Sequence, residues 1–91
     1  MDYSDEFIHN VQELAEALTP VSDIAALLDV DESMLREELS NKLSPLRKAY
    51  DKGKATTALA LRKQELELAK VGSPLAVQLT ASYVKDMTID E

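Results

Sequence analysis

The sequence predicts an all-α chain, with an N-terminal helix-turn-helix three-helix unit over residues 1–43 and a long antiparallel helical hairpin over residues 44–91. Three observations predict it. The hydrophobic mass is leucine and alanine, both good helix formers, and the aromatic side chains are three tyrosines and one phenylalanine. Only two glycines are available for turns. Apolar residues recur at spacings of three and four along most of the length, which is the period of a helix with one buried face. A chain of 91 residues buries roughly 60–65% of its unfolded surface, so any core is modest.

The first element spans residues 5–18, where Phe7, Ile8, Val11, Leu14, Ala15 and Leu18 share one helical face. Ser4 is placed to cap it, acids fill its first turn, and Pro20 ends it by disfavouring helical geometry at Thr19. A short apolar stretch follows over residues 23–28, then Asp29-Val30-Asp31, before Met34, Leu35 and Leu39 resume helical spacing. The spacing is that of a helix-turn-helix. Ile24 and Leu28 pack inward, Ala25 is small enough for a second helix to approach, Val30 plugs the turn, Asp31 caps, and Leu35 anchors the second helix. Asp29 stands where glycine is usual, and Glu38 stands where an apolar anchor is usual, with Leu39 one step later.

Asn41 and Lys42 loosen the chain before Ser44-Pro45, a cap followed by a proline at the first helical position. From there to residue 70 nothing forces a stop, which predicts a helix of roughly 39 Å at about 1.5 Å per residue, with Gly53 as the expected kink. Gly72 is placed to close that helix, and Ser73-Pro74 opens a last one running to about residue 87, ahead of a short acidic tail.

In the long helix, Leu59 and Leu66 lie on one line while Leu61 and Leu68 lie on another, roughly 160° away at 100° per residue. The last helix repeats this, with Leu75, Leu79, Tyr83 and Met87 on one side and Val77, Ala81 and Val84 on another. One apolar face serves one neighbour. Self-association through Leu59, Leu61, Leu66, Leu68, Leu79 and Tyr83 is therefore expected, the alternative being that the N-terminal head folds back over the second stripe.

The charge is uneven. Residues 1–41 hold eleven acids and one base, Arg36, whereas residues 42–70 hold eight bases and three acids. If the chain meets double-stranded DNA, the outward residues of the second helix of the helix-turn-helix, Ser33 and Arg36, are the candidates for base contacts. Their neighbours Glu32 and Glu37 oppose that role. Arg47, Lys48, Lys52 and Lys54 fit phosphate contacts better; a solvated stripe, or salt bridges to a neighbour's acidic head, is the rival reading.

Catalysis is not expected. The only histidine, His9, has Asp5 and Glu13 four residues either side, but all three sit on one helical ridge, whereas metal sites usually draw ligands from several elements. Gly53-Lys54-Ala55-Thr56 fails as a phosphate-binding loop, since Lys48 replaces the first glycine and Ala55 the Ser or Thr after the lysine. With no cysteine there is no thiolate site or disulfide framework. No catalytic pair, metal or cofactor is expected, and no apolar run approaches the ~18 residues of a membrane span. The acidic opening residues differ from a signal peptide, so the expected setting is the cytoplasm.

Three stretches are similar to the small terminase subunit of tailed bacteriophages: Ile24 to Leu39, Ser44 to Ala55, and Leu68 to Leu79. Tyr50, Gly53 and Lys54 resemble that family's helix start, and Ala69, Gly72, Ser73 and Pro74 its hairpin turn. The resemblance implies a helix-turn-helix DNA-packaging protein that forms a homo-oligomeric ring and binds the viral packaging site. It also implies regulation of a large subunit's ATPase and nuclease, no catalytic site of its own, and a place in the host cell cytoplasm. Two other classes stay open, namely a dimeric helix-turn-helix transcription regulator and a helical protein-interaction module that never touches DNA.

Overall fold

The computed structural model describes residues 3–91, which form five α-helices: α1 (Asp5–Glu16), α2 (Val21–Leu27), α3 (Glu32–Ser40), α4 (Pro45–Lys70) and α5 (Pro74–Asp90). The protein is all-α, and no strand is present among the described residues. No helix among them is long and apolar enough to cross a membrane.

Helix starts follow the sequence signals. Ser4 accepts a hydrogen bond from the Phe7 N–H, Asp31 from Met34, and Ser73 from Ala76. At the start of α4 the Ser44 hydroxyl oxygen accepts from the Leu46 N–H at 3.2 Å while donating to Glu38 at 2.8 Å.

Three helix ends share one device. After α1, the Thr19 N–H reaches back to the Leu14 carbonyl and the Leu18 N–H to Ala15, with Leu18 in the left-handed region at φ 58°. After α2, Val30 bonds Ala25 and Asp29 bonds Ala26, with Asp29 at φ 58°. After α4, Ser73 bonds Leu68 and Gly72 bonds Ala69, with Gly72 at φ 92°. Each is a Schellman closure, which satisfies orphan carbonyls by turning one residue left-handed. Only Gly72 is suited to that geometry without steric cost.

The first closure shortens α1 relative to expectation. The helix ends at Glu16, and Leu18, expected on the inner face, is half in solvent because its left-handed backbone turns it off that face. At the other end of the chain α5 runs on to Asp90, so the expected tail at residues 88–91 is mostly helical.

The chain divides into two compact units, one ending at Thr57 and the other spanning Ala58–Glu91. The division falls inside α4, because the first turns of α4 belong to the core of the first unit. Val11, Ile24, Ala25, Leu35, Leu39 and Leu46 are buried together there, with Phe7, Ile8, Leu14, Leu28 and Val30 packed around them. Leu39, not Glu38, is the buried anchor late in α3.

Gly53 does not interrupt α4. It is buried, and a Cβ built on it would meet the Gln12 carbonyl oxygen and lie 2.9 Å from the Ala15 Cβ and 3.0 Å from the Glu16 nitrogen. Ala49, Gly53 and Thr57, spaced by four, give α4 a small-residue ridge in the first unit, on which the Thr57 hydroxyl donates to the last carbonyl of α1, that of Glu16. The expected kink is thus a point of close helix approach.

In the second unit the wholly buried side chain is Ala76. Arg62 of α4 lies over the ring of Tyr83 of α5 at 5.5 Å, a cation–π contact.

Two substitutions should move stability in opposite directions. Gly53→Ala gains about 1 kcal/mol of helix propensity but presses into α1 backbone, so a net loss of about 1–2 kcal/mol or more is expected. Leu18→Gly relieves a left-handed leucine at little cost in burial, for a gain of about 0.5–1 kcal/mol. Thermal melts by circular dichroism measure both; a Gly53→Ala chain as stable as the wild type would contradict the close packing.

Candidate functional site

The charged residues singled out in the sequence occupy two helices of the first unit. On α3, Ser33, Arg36 and Glu37 are exposed. Neither of the first two is free of local partners. The Ser33 hydroxyl donates to Asp31 at 2.5 Å, which ties it to the helix cap, and the Arg36 Nε donates to Glu32 at 3.0 Å. Asp31 accepts from both the Ser33 hydroxyl and the Met34 N–H, and these bonds, the hydroxyl's first, hold its carboxyl below the usual aspartate range.

On α4, Arg47 is half-buried and braced. Its Nε donates to both oxygens of Asp51 at 3.1 and 3.0 Å, and its Nη1 donates to the Leu39 carbonyl in the last turn of α3 at 2.7 Å. Arg47 therefore joins α3 to α4, satisfying a helix-terminal carbonyl. Lys48 and Lys52, one turn apart on α4, are exposed, and Lys54 lies over the Tyr50 ring at 5.2 Å. Arg36 and Arg47 line a common groove, with Val21, Leu39, Ser40 and Tyr50. Ser33 is not part of it.

The apolar candidates lie in the second unit. Leu59, Leu61, Leu66 and Leu68 are 42–51% exposed, whereas Leu79 and Tyr83 are half-buried. Leu75, Val77, Val84, Met87 and Ile89 are exposed to a similar or greater degree. At roughly 25 cal/mol per Å² of apolar area, such a surface favours a partner over water.

No family model matches the chain, and no curated protein or solved structure matches it.

His9 pairs with Glu13 at 2.9 Å on the exposed side of α1, and no group of His, Asp and Glu able to hold a metal occurs among the described residues. The Gly53-Lys54-Ala55-Thr56 stretch is continuous helix, with the Thr56 hydroxyl donating to the Lys52 carbonyl, so it forms no phosphate-cradling loop. Sequence reasoning missed two contributors. Tyr50 was visible only as part of a short motif, and its place beside Arg36 depends on how α3 and α4 pack. Ile89 was assigned to the tail, although its spacing of fourteen from Leu75 puts it within about 40° of that residue around the helix.

Asp31 supplies a pH prediction. Its folded carboxyl stays deprotonated to lower pH than in the unfolded chain, so its contribution is complete above about pH 4 and is lost as pH falls through the lowered folded value. The thermal midpoint of an Asp31→Ala chain should start lower at neutral pH and fall less than the wild type's between about pH 4 and about pH 2. Parallel losses in the two chains would remove the role assigned to the cap.

Proposed function

We propose that this chain is a small-terminase-like DNA-packaging protein: the first unit is a helix-turn-helix that binds double-stranded DNA, and α4 with α5 forms an antiparallel hairpin that assembles copies into a ring. Regulation of a large-subunit motor belongs to the proposal through the family resemblance. The observation that carries the reading is the contrast between the two units. The first has a closed core built from four helices, while the second, with Ala76 as its wholly buried side chain, leaves large apolar groups on both α4 and α5 in solvent. A unit with so little interior is stabilised by burying those groups against copies of itself.

The DNA part rests on α2 and α3. They are joined through a left-handed Asp29, Val30 packs on the core, Asp31 caps the second helix, and Ile24, Ala25, Leu35 and Leu39 are buried between the helices and α4. Base reading by α3 is disfavoured, because Glu32 and Glu37 stand on its outward side and Arg36 is already paired to Glu32. Contacts by Lys48, Lys52 and Lys54 to phosphate suit the charge pattern, and repetition around a ring multiplies weak contacts through effective concentration.

Assembly is tested with Leu61→Asp and Leu68→Asp together. Buried unpaired carboxylates oppose association, so native mass measurement should report a smaller species while circular dichroism still reports helix; a wild-type monomer at high protein concentration would remove the premise. A dimer would favour a transcription regulator instead.

DNA binding is tested with Lys48→Gln and Lys52→Gln. Each lost phosphate contact should reduce the slope of log affinity against log salt by about 0.9, while site preference stays unchanged. An oligomer that binds no DNA at low salt would identify an interaction module.

A further inference from the structure

The two arginines of the first unit come from different helices yet line one groove between the end of α3, the start of α4 and Val21 of α2. Arg36 uses its Nε on Glu32, and Arg47 uses its Nε on Asp51 and its Nη1 on the Leu39 carbonyl. Both guanidinium planes are held from the Nε side. The Nη groups of Arg36 and the Nη2 of Arg47 have no hydrogen-bond partner among the described residues.

The rest of the lining decides what such donors can take. Val21 and Leu39 are apolar, and the Ser40 hydroxyl donates to the Glu37 carbonyl at 2.5 Å, so it offers no proton to the groove. Tyr50 brings a phenol O–H. The groove thus combines two braced guanidinium forks, a hydroxyl donor and an apolar remainder, and no carboxylate lies in its lining. Planar guanidinium forks match an oxyanion by paired hydrogen bonds, and bracing limits the side-chain entropy lost when one binds.

Charge then selects the source of the oxyanion. Glu32 and Asp51 balance the two arginines from outside the groove, so a free anion gains little long-range attraction. A phosphate carried on a polyanion gains more, because Lys48 and Lys52 stand exposed on the same helix as Arg47.

We propose that this groove is a backbone-phosphate clamp, in which Arg36 and Arg47 donate through Nη groups, and Tyr50 through its hydroxyl, to the non-bridging oxygens of one DNA phosphate. The clamp rests on the DNA-binding reading above and deepens it. DNA is engaged at the C-terminal turn of α3, where Leu39 and Ser40 line the groove and Glu37 and Glu38 lie outside its lining, and not at the N-terminal turn that holds Glu32. Arg36 then acts as a positioning contact to phosphate, not as a reader of bases.

The test uses the full chain with Arg36→Gln and Tyr50→Phe. Arg47 is left in place because its loss also unpairs the Leu39 carbonyl. With short duplex DNA, Arg36→Gln should lower affinity about 5–10-fold and reduce the salt slope by less than the roughly 0.9 of a whole phosphate contact, because Arg47 still holds the same phosphate. Tyr50→Phe should lower affinity a few-fold at unchanged slope, since a neutral donor releases no counterion. The two together should lose less than the product of the single effects, because they serve one phosphate. Unchanged affinity and slope in both variants, with the melting temperature preserved, overturn the clamp.

A second arm titrates inorganic phosphate into the wild type and Arg36→Gln and follows the Arg47 Nε–H and Tyr50 ring signals by NMR. Shifts in the wild type that vanish in the variant support the groove as the oxyanion site. Those shifts without any DNA binding would refute the DNA reading and assign the groove to a free phosphate; DNA binding without them, and without an effect of either variant, would refute the clamp while leaving the DNA reading intact.

Discussion

The close approach of α1 and α4 is the constraint on which the first unit depends. It is possible only because position 53 has no side chain, since backbone of α1 occupies the place where a Cβ would stand. Ala49 before it and Thr57 after it continue the narrow ridge, and Thr57 satisfies the last carbonyl of α1. With α4 seated this way, Leu46 completes the cluster that contains Ile24, Leu35 and Val11. Arg47, one residue on, then reaches the Leu39 carbonyl. The position of the charged groove follows from a glycine on another side of the same helix.

Much of the fold was legible because it is local. Capping residues, prolines at first helical positions and apolar spacing located five helices, and α4 has the span its sequence signals indicate. The left-handed closures were legible at Gly72 and, through its place in the helix-turn-helix spacing, at Asp29, but not at Leu18. Leu18 and Asp29 take the same geometry without glycine's permissiveness, so it is held by the bonds around them, through Thr19 to Leu14 and Val30 to Ala25. Gly53 was misread for the opposite reason. Its local cost in a helix suggested a kink, whereas its purpose lies in what packs on it from elsewhere in the sequence.

The candidate site divides in the same way. That positive charge gathers near the start of α4 and negative charge on α3 is written in composition. That Arg36 is paired, Arg47 braced and Ser33 tied to a cap is not, because each depends on the partner a side chain finds after folding. The apolar faces of α4 and α5 were plain from periodicity, and the exposure of their residues agrees with a chain having more hydrophobic surface than its own interior accommodates.

Because α4 runs without interruption from the first unit into the second, its two halves do not begin folding on equal terms. Starting a helix fixes several residues for the first hydrogen bond, and this nucleation is the unfavourable step; adding residues to an existing helix is not. The half of α4 seated against α1 supplies that nucleus, held by tertiary packing. The leucine-bearing half can then grow from it turn by turn, even before its apolar faces find a neighbour. A peptide beginning at Ala58 lacks that start and must nucleate from coil. Covalent continuity thus makes the well-packed unit a template for the poorly packed one.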